Sequence, residues 1–149
     1  MTEARFDPPV DSLLREAGWR PGRNVAETVA RWESALDEDG FTLHAVAKNI
    51  LLEFGGLHVG RSARGVDRAR ADIRFDPTLA IGQRDDLESF TELRGRSVYP
   101  LGEVDGGHGF LVVADDGRAF LVMDEIYDRW TTFDAALRGL LLGLRSPAV

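Results

Sequence analysis

The sequence predicts an α+β domain, a mostly antiparallel sheet with flanking helices. Three observations carry that expectation. Ahead of Leu57 the apolar residues recur at helical spacing. After it, short runs of Val, Ile, Phe and Tyr read as strands. Two of those runs are joined by Asp115-Asp116-Gly117, which supplies the Asp-Gly chemistry of a tight reversal. Helices first and a sheet later fit an α+β architecture rather than an alternating one. At 149 residues the chain suits a single domain spanning 1–149, with its core between about 10 and 144.

The elements follow in order. Pro8 and Pro9 sit where proline opens a helix, and Val10, Leu13, Leu14 and Ala17 continue it until Gly18. Asn24 and Glu27 resemble a capping box for a second helix, with Val25, Val29, Trp32 and Leu36 on one face and its end near Asp37. Thr42 is the expected cap of a third, whose apolar face holds Val46, Ile50, Leu51 and Phe54 before Gly55-Gly56 stops it. Strands are predicted over 57–59, 71–75, 98–101, 109–113 and 118–123, with a short helix over 85–90. The two hairpin strands are almost continuously apolar, the mark of a sheet covered on both faces. Thr131 or Thr132 caps a closing helix that carries Phe133, Leu137, Leu140, Leu141 and Leu144.

Composition narrows the chemistry. With no cysteine there is no disulfide framework, thiolate metal site or cysteine nucleophile. No apolar run is long enough to span a bilayer and the N-terminus has no signal-like apolar stretch, so the expectation is a soluble cytoplasmic protein. The net charge is −7. Residues 1–75 hold 12 Asp/Glu against 11 Lys/Arg, net −1; residues 76–149 hold 13 against 7, net −6. Such a C-terminal half disfavours nucleic acid and favours a basic protein partner. The arginine-rich stretch 60–74 has no interleaved aromatics of the kind single-strand binding uses, and reads as a solvated loop.

Catalytic constellations are missing. His44, His58 and His108 show no metal-ligand spacing, and no serine sits in a Gly-x-Ser-x-Gly elbow. His108 lies in Asp105-Gly106-Gly107-His108-Gly109, which leads into a strand and reads as a turn rather than a phosphate loop. Asp115-Asp116 and Asp124-Glu125 are accounted for by a turn and a strand end. No metal or cofactor is expected. Trp130, beside Asp128, Arg129 and Thr131, is expected to be partly exposed.

Two clusters stand out: Ala17-Gly18-Trp19-Arg20-Pro21-Gly22-Arg23 and Glu53-Phe54-Gly55-Gly56-Leu57-His58-Val59. With Tyr99-Pro100-Leu101-Gly102-Glu103, the Asp-Gly hairpin and the closing Ala136 to Gly143 segment, their order resembles the third subgroup of the SUKH superfamily, from about residue 10 to 143. The resemblance implies a SUKH-like α+β domain and an immunity protein of a bacterial polymorphic toxin system. Such a protein binds and neutralises a cognate toxin, often a nuclease or deaminase, rather than catalysing a reaction. It also explains why the motif residues Gly18, Trp19, Pro21, Gly22, Arg23, Glu53, Phe54, Gly55 and Gly56 are structural, and the positions of Trp19 and Phe54 beside helix-terminating glycines predict that both are buried. The acidic half then becomes the expected partner face: Asp85, Asp86, Glu88, Glu103, Asp105, Asp124, Glu125 and Asp128, with Tyr127 or Trp130 as aromatic anchor. The competing reading is a small ligand-binding domain or enzyme that uses His108 and nearby carboxylates.

Overall fold

The computed structural model describes residues 5–145; the segments 1–4 and 146–149, with Ser146, lie outside the described residues. Three helices come first: α1 Pro8–Glu16, α2 Ala26–Glu38 and α3 Ala45–Phe54. Strands β1 His58–Val59 and β2 Ile73–Arg74 bracket the arginine-rich loop. A 3-10 turn, Pro77–Ala80, and α4, Arg84–Ser89, lead to β3 Val98–Val104, β4 Gly109–Ala114, β5 Ala119–Val122 and β6 Ile126–Trp130, and α5 Phe133–Leu142 closes the fold. The six strands make an antiparallel meander in sequence order. Among the described residues no helix is long and apolar enough to cross a membrane.

Register decides which residues share a face, since directly paired residues of antiparallel strands project to the same side. Tyr99, Val113, Ala119 and Trp130 form one cross-strand row, and Gly102, Leu111, Leu121 and Asp128 the next row on that side. This is the helical side: α5 packs on β5 and β6, and α3 on β3 and β4. Arg74, Glu103, Phe110 and Val122 belong to the opposite side, as do Pro100, Val112, Phe120 and Arg129. There Glu92 reaches across to Arg129 at 2.7 Å, while the 3-10 turn packs against both β3 and α2. Every residue of β4 is buried, as its unbroken apolar run requires.

Two helix ends show how glycine sets the chain direction. Gly18 (φ +108°) and Gly143 (φ +69°) take the left-handed conformation, and the following amides of Trp19 and Leu144 close back on the carbonyls of Leu14 and Gly139. Gly55 is needed for space instead. A Cβ there would stand 2.5 Å from the Leu51 carbonyl oxygen and 2.7 Å from the Trp32 ring.

Some sequence expectations are corrected and others narrowed. Thr42 does not cap α3; the His44 ring does, accepting the Ala47 amide while its other nitrogen lies 3.1 Å from the Val113 carbonyl oxygen. Asn24 accepts the Ala26 amide as a local turn, and α2 runs to Glu38. Thr132 rather than Thr131 caps α5. Strand β6 was not foreseen, because Ile-Tyr-Asp-Arg-Trp breaks both the apolar run and a clean alternation with charge. The arginine-rich loop is fastened rather than free: the amides of Val66, Asp67 and Arg68 bond the last carbonyls of α5, Leu142 and Gly143. It satisfies a helix end that would otherwise need water.

Candidate partner-binding surface

The two sequence clusters meet at one place. Trp19 and Phe54 stack with ring planes 3° apart, and Phe6 meets both edge-on. The Trp19 indole donates to the Glu53 carboxylate at 2.8 Å, the Arg5 guanidinium bonds both Glu53 and Asp134, and Arg23 donates to the Glu53 backbone carbonyl. Arg5 is held well above its ordinary value, by Asp134 first and Glu53 next, against a desolvation that lowers it. Trp19 is buried and Phe54 is fully so. Arg5, Trp19, Pro21, Gly22, Arg23 and Glu53 also edge an open groove of about 450 Å³. The chemistry of the motif is thus directed inward, fastening the N-terminal segment, the α1–α2 loop, α3 and α5 to one another.

The carboxylates expected to form one face occupy two separate places. Glu103, Asp105, Asp124, Glu125 and Tyr127 lie around the β3–β4 and β5–β6 turns, at one end of the sheet. Asp85, Asp86 and Glu88 are on α4, beside a cleft of about 140 Å³ that also includes Ser97 and Val98 at the other end of β3. The length of β4, roughly 20 Å at 3.4 Å per residue, separates the two.

Within the first group most carboxylates are already engaged. Asp128 is 4% exposed and pairs with Arg68 at 2.5 Å, so it belongs to the interior. Trp130, expected to be partly exposed, is also 4% exposed: its indole lies over Gly139, where a Cβ would come within 2.9 Å of the ring nitrogen. Of the polar neighbours that suggested exposure, Arg129 projects to the opposite side, whereas Asp128 shares the helical side with Trp130 and is itself buried against Arg68. Asp105, at φ +52°, accepts the Asp72 amide, and His108 closes on the Asp105 carbonyl at 2.6 Å. Asp72 holds the His58 ring at 2.5 Å. Burial pushes Asp72 up, but hydrogen bonds from His58 and Asp105 outweigh it and leave the carboxyl below its usual range. Burial raises Asp105, and the adjacent Asp72 carboxylate adds to it. Tyr127 is exposed and hydrogen-bonds Asp124, which raises its phenol pKa.

The second group has neighbours that the division into chain halves concealed. The Gly82 amide bonds the Asp39 carboxylate, bringing the acidic C-terminal end of α2, Asp37-Glu38-Asp39, against the start of α4. Arg84 pairs with Glu88 at 3.0 Å. In the sequence the signal is three consecutive carboxylates at the end of a helix.

No group of three or more His, Asp or Glu stands close enough to hold a metal ion among the described residues. A family model described as SUKH-3 immunity protein matches residues 6–143. No curated protein and no solved structure matches the chain.

Proposed function

The chain belongs to the SUKH-3 immunity protein family, and from that premise we propose that it neutralises one cognate toxin by stoichiometric binding, without turnover. The family match over residues 6–143 carries this reading. The geometry supports it in a specific way: the motif residues use their hydrogen-bonding capacity inside the domain, so they serve as scaffold and leave recognition to other surfaces. The toxin is taken to be one with a basic active face, such as a nuclease, because exposed carboxylates on the protein complement a phosphate-binding groove. Occupying such a groove would exclude the substrate by charge and by bulk together.

The test is co-expression. Cells producing a toxin captured with this chain by affinity purification should survive when this chain is produced in equal or greater amount, and the purified pair should co-elute at fixed stoichiometry. Survival that persists without any complex between the purified partners would defeat the binding mechanism. The enzymatic alternative built on His108 has its own discriminator. A toxin chemically altered after incubation with catalytic amounts of the protein, with loss of that alteration in His108→Ala, would replace binding with catalysis.

A further inference from the structure

Four large apolar side chains are strongly exposed among the described residues: Val66, Leu79, Ile81 and Tyr127. Val66 and Tyr127 stand apart, on the arginine-rich loop and on β6. Leu79 and Ile81 are 38% and 44% exposed and stand two residues apart at the end of the 3-10 turn, which packs against α2. Carboxylates crowd the segments next to this pair, and the Gly82 amide, one residue beyond Ile81, bonds the Asp39 carboxylate. Residues 33–40 and 76–90 together hold eight Asp/Glu against the single cation Arg84, which is itself tied to Glu88. At the opposite end of the sheet Arg68 pairs with Asp128 and Arg74 stands opposite Glu103 in register, so cations accompany the carboxylates there.

A second feature singles out this corner. The last turn of α2 contains no basic residue and ends in Asp37-Glu38-Asp39. Carboxylates at the negative end of a helix oppose its dipole, so this arrangement weakens the isolated fold. The field also reaches inward: the Tyr99 hydroxyl lies above its ordinary range, through burial first and then through Glu33 and Asp37. An apolar centre within a charged rim has the anatomy of a protein interface, and cations brought by a partner would relieve the repulsion at the helix end.

Resting on the immunity reading, we propose that the cognate toxin docks on the corner formed by the end of α2, the 3-10 turn and α4, setting a basic face around Leu79 and Ile81. The apolar pair supplies the desolvated contact that holds the complex, and Asp37, Glu38, Asp85 and Asp86 accelerate its formation.

The probe is the purified toxin captured with this chain, with association and dissociation measured separately. Asp85→Lys combined with Asp86→Lys should slow association about tenfold or more at low salt, and the deficit should shrink at high salt as the field is screened. Leu79→Ser combined with Ile81→Ser should speed dissociation about tenfold or more with little change in association. Asp124→Asn combined with Glu125→Gln should leave both rates within about twofold of wild type. Urea midpoints of all three variants establish that they fold. Hydrogen exchange of wild-type protein in the complex should show new protection over 36–40 and 79–88. Binding by the wild type that survives both corner variants, with no protection there, would overturn this surface while leaving the immunity reading intact. Absence of binding by the wild type would overturn both.

Discussion

The Trp19–Glu53 clasp and the corner beside α2 treat charge in opposite ways. In the clasp, Glu53 accepts from Trp19 and Arg5, Arg5 also reaches Asp134, and the neighbouring rings stack over one another. Each polar group there is answered within the chain. At the corner, Asp85 and Asp86 face solvent, and the helix end beside them repels its own carboxylates. Bonds satisfied internally stabilise a fold; charge left unsatisfied costs stability and suits a partner. The same residue types therefore serve scaffold in one region and, on the proposed docking, recognition in the other, and composition alone does not separate them.

The largest expected effect tests the scaffold side. Phe54 is fully buried and touches Phe6, Trp19, Phe75 and Phe133. Phe54→Ala should cost about 3–5 kcal/mol, and Trp19→Ala should fall in the same range with its indole hydrogen bond also lost. Urea denaturation measures both. Wild-type stability in either variant would mean that the clasp does not hold the core together.

Asp128 comes next, and it sharpens the comparison because an acidic residue of the presumed partner face turns out to be internal. Asp128→Asn should destabilise by about 1–3 kcal/mol, since it leaves the Arg68 guanidinium without its counter-charge in a partly buried site. A variant that loses toxin binding while keeping the wild-type urea midpoint would return Asp128 to the surface account. Gly143→Ala should have a slightly smaller effect, at least about 1 kcal/mol, from the left-handed backbone together with a Cβ placed 2.2 Å from the Arg68 carbonyl oxygen. Its signature is local. The amides of Val66, Asp67 and Arg68 should exchange faster, and unchanged exchange there would show that the loop is not held by the helix end.

Much of the fold was legible because local signals agreed with the global arrangement. The prolines, glycines and apolar spacing placed α1, α2, α3 and α5 within a few residues, and the Asp-Gly turn placed the β4–β5 hairpin. What was missed depended on partners distant in sequence. The His44 cap is fixed by Val113, β6 by its pairing with β5, and the buried Asp128 by Arg68, sixty positions away. The acidic corner was half legible. Asp85, Asp86 and Glu88 stood out, but folding brings them to the end of α2, in the half of the chain whose net charge is only −1.

The smallest expected effect separates an internal carboxylate from an outward one by its pH dependence. Asp105 is held above the usual carboxylate range, by burial first and by the Asp72 carboxylate beside it. A carboxyl whose pKa is higher in the folded state binds its proton more tightly there, so its contribution turns against folding as pH rises from the unfolded value, 3.8, through the raised folded one. At neutral pH that penalty is fully present. Asp105→Asn removes it, and the amide retains an oxygen for the Asp72 N–H, a donor for the Asp72 carboxylate and tolerance of positive φ. The variant should match the wild type below the ordinary carboxylate range and become more stable than it above, by no more than about 1 kcal/mol at pH 7. Urea midpoints from pH 3 to 7 trace the difference, and a flat or inverted profile would contradict the assignment. Toxin association should be unchanged at every salt concentration, because this carboxylate already bonds within the turn, whereas loss of the Asp85 and Asp86 charges is expected to slow it.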